Sequence, residues 1–132
     1  MIFVDSNIPM YIVGGPHPNK DRAIDLLDKI SKERKRLVTS AEVYQEIIHR
    51  FSAINRRDGI RPAFEVLDSV ADEIFPIERE DVLEAHRVAL TYKKLSARDA
   101  LHVAVMKRYA VSEIMTYDRG FDQVTGISRI IS

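Results

Sequence analysis

Short apolar runs alternate along this chain with longer segments whose apolar residues recur at helical spacing. The clearest runs are Ile2–Val4, Leu37–Thr39 and Glu113–Thr116, and weaker ones lie at Glu73–Ile77 and Ile127–Ile131. Parallel strands need crossover connections, and those connections are usually helices. The alternation therefore predicts an α/β fold in which a parallel β-sheet is flanked by helices on both faces.

Capping and breaking residues mark the ends of these elements. Ser6 and Asn7 are candidate N-caps for a helix that follows the first strand directly. Thr39-x-x-Glu42 and Ser96-x-x-Asp99 have the form of capping boxes and predict two further helix starts. Pro76 predicts an edge or terminal position for the third strand, because proline cannot donate a ladder hydrogen bond.

Length and composition indicate one ordinary domain. The chain has 132 residues, so we expect a single domain over residues 1–132. Twenty Lys and Arg residues balance twenty Asp and Glu residues, so any attraction to nucleic acid must come from local patches. The chain contains no Cys, which excludes disulfides and thiolate metal ligands. Because no apolar stretch approaches the ~18 residues that span a bilayer, we expect a cytoplasmic protein without membrane contact.

Four acidic residues lie where predicted strands end or predicted helices begin. They are Asp5, Glu46, Asp99 and Asp118. In open parallel sheets, ligand sites form outside the carboxyl ends of the strands, near the point where the strand order reverses. Carboxylates brought together there repel one another unless a divalent cation or solvent intervenes. We therefore predict that these acids form a site for a hard metal ion.

Two of the four positions have a neighbouring acid as an alternative. Glu42 and Glu46 stand one helical turn apart, and we favour Glu46 because pairing with Thr39 already accounts for Glu42. Asp118 competes with Asp122, which follows one turn later and could replace or supplement it. A β-turn role for Asp118 is the structural alternative at that position.

Nearby polar residues are weighed against their common structural roles. His102 lies within an apolar helix, where a histidine is more often a hydrogen-bonded core residue than a ligand or base. We therefore assign it no catalytic role. Lys93–Lys94, Arg98 and Arg119 flank the predicted cluster and are candidates for phosphate contacts, although charged runs are usually solvated surface.

Four motifs, taken in order along the chain, resemble those of the PIN domain. They are Asp5-Ser6-Asn7, Thr39-Ser40 through to Glu46, Ser96-Ala97-Arg98-Asp99-Ala100-Leu101-His102, and Thr116-Tyr117-Asp118-Arg119-Gly120-Phe121. Each motif is weak alone, but their order and spacing are specific in combination. The resemblance covers essentially the whole chain, whose size is similar to that of the VapC-type toxins of prokaryotic toxin-antitoxin pairs.

This resemblance implies a Mg²⁺- or Mn²⁺-dependent endoribonuclease with a site of three or four acids. It also implies a homodimer, an RNA substrate and inhibition by a cognate antitoxin protein. Carried over by position, the acidic set consists of Asp5, Glu46, Asp99 and Asp118, with Ser6 and Thr116 as polar neighbours. The match is loosest at the glutamate, since Glu42 also lies near the expected place, and at the fourth acid, where Asp122 is the alternative.

The implied chemistry suits these residue types. Mg²⁺ takes oxygen ligands, keeps several waters and is usually held by one or two carboxylates plus substrate phosphate, so contact with Asp5 and Asp99 is sufficient. Glu46 and Asp118 would then orient bound waters or a second ion. The ion would lower the pKa of a bound water and stabilise charge on the phosphorus oxygens, so no side-chain nucleophile is required.

Other functions are compatible with parts of the pattern. One is RNA processing by a different kind of PIN-domain nuclease. Another is a receiver-like phosphoacceptor domain, but Asp5 lacks the second acid that such a domain needs after its first strand, and the third strand leads into Pro76 rather than an acceptor Asp. A third is a non-catalytic interaction module whose acids only cap helices, and the presence of all four acids argues against it.

Overall fold

Five short strands form one sheet at the centre of the molecule. The computed structural model describes residues 1–131. The strands are β1 (Ile2–Val4), β2 (Leu37–Ser40), β3 (Glu73–Phe75), β4 (Glu113–Met115) and β5 (Ser128–Ile130). Their order across the sheet is β3-β2-β1-β4-β5, and every neighbouring pair is parallel. The predicted fold class, a parallel sheet flanked by helices, is confirmed.

Helices provide the connections between these strands. Over residues 1–131 they are α1 (Asn7–Val13), α2 (Pro18–Lys32), α3 (Ala41–Ala53), α4 (Ile60–Val70), α5 (Arg79–Thr91) and α6 (Ala97–Arg108). Short 3₁₀ turns lie at Arg57–Gly59 and Arg119–Gln123. None of the helices in this range is both long enough and apolar enough to cross a membrane.

The core lies around β1 and α6. Phe3 on β1 is fully buried, and so are Val103, Val105 and Met106 on α6. Burial of each side chain of this size contributes about 1.5–3 kcal/mol to folding. The prediction that α6 is a buried helix is confirmed, and its packing fixes the position of the residues at its N-terminus.

The strand order reverses at β1. From this central strand the chain first adds β2 and β3 on one side, and it later adds β4 and β5 on the other. The carboxyl ends of β1 and β4 are therefore adjacent, with Val4 paired to Met115. The Asp5 amide extends the ladder by donating to the Met115 carbonyl oxygen at 3.1 Å. This reversal is the place where sheets of this kind form their ligand sites.

The edge position of β3 is confirmed, but the predicted cap at Thr39 is wrong. Strand β2 runs one residue further than predicted, so Ser40 and not Thr39 precedes α3. The buried Thr39 hydroxyl instead donates to the Val4 carbonyl oxygen at 2.9 Å and ties β2 to β1. Of the two N-cap candidates for α1, Ser6 occupies the N-cap position, although its side chain makes no cap hydrogen bond. Asn7 is already the first helical residue.

The predicted cap of α6 is confirmed in its first half. The Ser96 hydroxyl accepts a hydrogen bond from the Asp99 amide at 3.1 Å. Among the described residues, the Asp99 side chain makes no return bond to the Ser96 amide. Its carboxyl group is therefore available for another role.

Candidate active site

A cleft of about 380 Å³ lies at the carboxyl ends of β1 and β4. It is lined by Asp5, Ser6, Asn7, Tyr11, Glu46, Arg50, Ser96, Asp99, Tyr117 and Asp118. We call it the acidic cleft, because four of its side chains are carboxylic acids. All four acids favoured from the sequence lie in it, although they come from four separate parts of the chain.

Asp5 lies on the floor of the acidic cleft and is held by both of its oxygens. Its side chain is almost fully buried, and Oδ1 accepts from the Ser6 amide at 2.7 Å. Oδ2 accepts from the Thr116 hydroxyl at 2.7 Å. Burial raises the pKa of Asp5 above its usual value, His102 partly offsets that rise, and Glu46 adds to it. The structure thus holds this carboxylate rigidly in a place where its charge is unfavourable.

Thr116 supports Asp5 with a fully used hydroxyl group. Besides donating to Asp5, its Oγ1 accepts from the Asn7 amide nitrogen Nδ2 and from the Asp118 backbone N–H, both at 3.0 Å. A hydroxyl offers one donor and two acceptor positions, so all of its capacity is satisfied. The sequence-predicted polar neighbour Thr116 therefore links the loop after β4 to the start of α1.

Glu46 reaches the cleft from the second turn of α3. Its Oε1 accepts from the Ser6 hydroxyl at 2.5 Å and lies 3.3 Å from Nε2 of His102. Burial alone would raise the pKa of Glu46, but the contacts with His102, Ser6 and Arg50 outweigh it and hold the pKa at about 2. Glu46 is therefore a carboxylate at any physiological pH.

Glu42, the alternative glutamate, points to a different groove. Its Oε1 lies 3.6 Å from Nε of Arg98, and both side chains line an apolar groove between α5 and α6. The helical offset of four residues moves the glutamate by one turn along α3, which is enough to separate the two positions. The capping role expected for Glu42 with Thr39 is absent from the described residues, since Ser40 occupies the cap.

Asp99 sits at the first turn of α6 with its carboxyl group in the acidic cleft. Only 8% of the residue surface is exposed. Burial raises the pKa of Asp99 to about 7, and the charge of Asp5 and the neighbouring Asp118 contribute to the rise. A raised pKa of this kind is expected for carboxyls crowded together in a partly dry cleft.

Asp118 completes the acidic set at the exposed rim. Its Oδ1 accepts from the Gly120 amide at 2.8 Å and so shapes the 3₁₀ turn at Arg119–Gln123. The turn role considered from the sequence is therefore present together with a place in the cleft. Asp122 lies elsewhere and forms a two-point ion pair with Arg129, at 3.0 and 3.2 Å.

His102 is a member of the site that sequence reasoning missed. It is fully buried beneath the acids, with Nε2 at 3.3 Å from Glu46 and 3.7 Å from Asp5. Both neighbours are acceptors, so Nε2 carries a proton. Burial alone would lower the pKa of His102, but Glu46, Asp5 and Asp99 outweigh it and raise the pKa above its usual value. The only signal in the sequence is the spacing of three residues after Asp99, which puts both side chains on one face of α6.

Arg50 is a second residue that was missed. It lies one turn after Glu46 on α3, and its Nη1 is 3.5 Å from the Ser6 hydroxyl. In the described part of the chain, it is the one basic side chain that lines the acidic cleft. The basic residues expected to flank the site, which are Lys93, Lys94, Arg98 and Arg119, are not among its lining residues.

The residues of the cleft fit a small, hard divalent cation. One ligand atom each from Asp5, Glu46 and His102 lie within 4.8 Å of one another. Because Nε2 of His102 is protonated, carboxylate oxygens are the available ligands, and oxygen ligands suit Mg²⁺ and Mn²⁺. The raised pKa values of Asp5 and Asp99 point the same way, since a bound cation would offset the burial and the neighbouring negative charges that raise them.

Comparison with known sequences gives matches over nearly the full chain. The family model of the PIN domain matches residues 2–127. Ribonuclease VapC13 of Mycobacterium tuberculosis is 54% identical over 130 residues, which cover 98% of this chain and 99% of the relative. The range matched by the family model contains the positions of all four acids of the cleft.

Comparison with solved structures gives the same fold. VapC20 of Mycobacterium tuberculosis, described as a sarcin-ricin loop cleaving toxin, superposes with a TM-score of 0.80 at 15% identity, with 100% of both chains covered. A toxin-antitoxin complex from Klebsiella pneumoniae contains a chain that superposes with a TM-score of 0.69 at 17% identity, covering 97% of this chain and 96% of the other.

Proposed function

This chain belongs to the PIN domain family, within it to the VapC ribonucleases, and on that premise we propose that it is a Mg²⁺- or Mn²⁺-dependent endoribonuclease acting as the toxin of a toxin-antitoxin pair. The observation that carries the proposal is the convergence of four carboxyl groups, from elements far apart in sequence, on one cleft at the reversal point of the sheet. The proposal treats the whole chain, residues 1–132, as one nuclease domain.

In this proposal Asp5 and Asp99 hold the cation. When bound, the ion supplies a Lewis acid for the phosphodiester and lowers the pKa of water so that it can attack phosphorus. Asp5 is suited to this role because the Ser6 amide and the Thr116 hydroxyl fix both of its oxygens before any ligand arrives. Such preorganisation avoids reorganisation cost during the reaction.

Glu46 and Asp118 act beside these two ligands. Ser6 and His102 both contact Oε1 of Glu46, which fixes the carboxylate and leaves Oε2 to accept a hydrogen bond from water. Asp118 lies at the rim, where it can orient a further water. Arg50 provides the positive charge that an RNA phosphate needs in order to approach an otherwise acidic cleft.

The proposal also includes an antitoxin partner, a homodimer and action in the cytoplasm. The antitoxin is supported by the fold shared with a chain of the Klebsiella toxin-antitoxin complex. The homodimer and the cytoplasmic location rest on the family resemblance alone. Because the family is PIN, the receiver-like alternative has no support, and the non-catalytic alternative becomes an outcome of the test below.

Purified protein, freed of any antitoxin, is expected to cleave RNA only when a divalent cation is present. The assay incubates a labelled RNA that has paired and unpaired segments with the protein in Mg²⁺, in Mn²⁺ and in excess chelator. Cleavage should stop with chelator and return when Mn²⁺ is added back. Asp99→Asn protein purified in the same way controls for contaminating nucleases. Cleavage that persists in chelator, or equal cleavage by the control, would contradict the proposal.

Cation affinity should rise with pH, because a proton must leave Asp99 before its carboxylate can bind the ion. With a pKa of about 7 for Asp99, affinity should fall by up to about tenfold for each pH unit below that value. Calorimetric titration of Mn²⁺ at about pH 6 and about pH 8 measures the difference. Asp99→Asn should show weaker binding with a smaller pH dependence than the wild type. Equal wild-type affinities at both pH values would show that no such proton competes.

The stability of the metal-free protein should fall as pH rises, whereas the cation affinity should increase. The folded chain keeps a proton on Asp99 up to about pH 7, whereas the unfolded chain releases it near the ordinary aspartate pKa of 3.8. Between these values the folded state binds more protons, so the free energy of unfolding decreases as pH rises. The raised pKa of His102 has the same sign, with stability lost above its ordinary value of 6.5. Thermal melting of the protein in chelator, measured across this pH range, tests both points.

A further inference from the structure

Two tyrosine rings line the acidic cleft. Tyr11 comes from α1 and Tyr117 follows β4, and both side chains line the cleft while remaining partly exposed. Their ring centroids are 5.3 Å apart with an interplanar angle of 82°. His17 extends the group, with its ring centroid 4.8 Å from that of Tyr11. We call Tyr11, His17 and Tyr117 the aromatic wall.

The wall is held rigidly in place. The Tyr117 hydroxyl donates to the Asn19 carbonyl oxygen at 3.0 Å, and the Tyr117 amide donates to Oδ1 of Asn7 at 3.2 Å. Tyr11 packs edge to face on this fixed ring. Within the described residues, the Tyr11 hydroxyl has no hydrogen-bond partner. Tyr11 thus presents a fixed ring to the cleft without a hydrogen bond that would explain its place there.

The arrangement of charges and rings matches the two halves of a nucleotide. The acids and Arg50 offer binding groups for a metal ion and a phosphate, whereas Tyr11 and Tyr117 offer aromatic rings beside them. Aromatic rings bind unpaired bases by stacking, and they cannot do so while the base is stacked inside an A-form duplex. A paired RNA could therefore bring its phosphates to the acids but not its bases to the wall.

We infer that Tyr11, supported by Tyr117, stacks against a base adjacent to the scissile phosphate and so positions the RNA in the acidic cleft. This inference rests on the proposed nuclease function. It adds a residue that contacts a base of the substrate. Tyr11 contacts the substrate but takes no part in bond breaking.

Removal of the Tyr11 ring and removal of the adjacent RNA base should reduce cleavage to the same extent. The substrate is a short labelled RNA that spans a mapped cleavage site, either intact or with an abasic residue next to the cut. Tyr11→Ala should lower kcat/KM on the intact RNA by about tenfold, within the range known for the loss of one stacked base. Tyr11→Phe keeps the ring and should recover most of that rate. Tyr44→Ala is the matched control, because Tyr44 also packs edge to face, on Phe64, but does not line the cleft.

Combining Tyr11→Ala with the abasic RNA distinguishes base stacking from a structural role of Tyr11. If the ring acts on the base, the abasic RNA should be cut at equal rates by wild type and Tyr11→Ala, because the interaction is already lost. A merely structural role would lower cleavage of both RNAs by the same factor. The inference would be overturned if Tyr11→Ala cut the abasic RNA more slowly than the wild type by the same factor as on the intact RNA. It would also be overturned if Tyr11→Ala cut the intact RNA at the wild-type rate.

A binding experiment keeps this inference distinct from the nuclease proposal. RNA with 2-aminopurine beside the mapped or central phosphate is mixed with Asp99→Asn protein, and stacking should quench its fluorescence. The double variant that carries both Asp99→Asn and Tyr11→Ala should show no such quenching. Quenching without any cleavage by wild type would support stacking while the nuclease proposal fails. Cleavage without quenching would overturn the stacking inference and leave the nuclease proposal in place.

Discussion

Asp99→Asn is expected to lose RNA cleavage by at least about a thousandfold, because removal of a metal ligand forfeits several kcal/mol of transition-state stabilisation. The same substitution should leave the protein folded, or even more stable. In the metal-free protein the Asp99 charge is opposed by burial, by Asp5 and by Asp118. A neutral side chain of the same shape removes that repulsion. Activity and stability should therefore move in opposite directions, which a misfolded variant cannot reproduce.

Asp5→Asn should lose activity to a similar extent but should also lose stability. Both oxygens of Asp5 accept short hydrogen bonds, from the Ser6 amide and the Thr116 hydroxyl. An asparagine offers one acceptor oxygen, so one of these donors would lose its partner at a cost of about 1–3 kcal/mol. Rate measurements under saturating Mn²⁺ and thermal melting in chelator separate the two effects.

Asp122→Asn serves as the matched acidic control for both variants. Asp122 is exposed, pairs with Arg129 and does not line the cleft. Loss of an exposed ion pair costs about 1 kcal/mol or less, so the control should fold and cleave at close to the wild-type rate. Full activity in a folded Asp99→Asn protein would remove Asp99 from the mechanism. An inactive Asp122→Asn protein would instead make Asp122 the fourth acid.

Glu46→Gln is expected to lower the cleavage rate by about 10- to 100-fold, as is typical for groups that orient ligands around a metal. Glu46 is ionised at any physiological pH, and it accepts hydrogen bonds from Ser6 and His102. Glutamine keeps the size but removes the charge that faces His102 and any bound ion. Cleavage rates at several Mn²⁺ concentrations distinguish weaker ion binding from a slower reaction.

Glu42→Gln is the control for this substitution, since both glutamates lie on α3 one turn apart. Glu42 contacts Arg98 in another groove, and loss of this partly exposed pair should alter the rate by no more than about twofold. If Glu42→Gln is the inactive variant and Glu46→Gln is active, the choice between the two glutamates must be reversed. Equal losses in both would indicate an effect on α3 as a whole.

The fold was accessible from local patterns because each strand and helix is specified by its own residues. The runs at Ile2–Val4 and Glu113–Thr116 could be identified without knowledge of their neighbours. The residues that cap the helices were harder to predict from the sequence. A hydroxyl such as that of Thr39 can serve a helix end or a neighbouring strand, and the choice depends on a partner 35 residues away, the Val4 carbonyl oxygen.

Only some residues of the acidic cleft could be predicted from the sequence. Asp5, Asp99 and Asp118 adjoin element ends, so the topology of a parallel sheet brings them together. His102 gave no comparable signal, because a histidine in an apolar helix has the same sequence context whether it is a core residue or lies beneath a site. Its contacts with Glu46 and Asp5 span 56 and 97 positions of the chain.

The sequence by itself determined the alternation of strands and helices, the parallel sheet and the three aspartates at the ends of its elements, since these follow from periodicity and chain order. Only the tertiary structure decided that Glu46 and not Glu42 enters the cleft, that Asp122 leaves it for Arg129, and that Arg50, His102 and Tyr11 join it. Those outcomes depend on how each helix is placed and rotated against the sheet. That placement is set by the packing of the whole core rather than by the residues of any one segment.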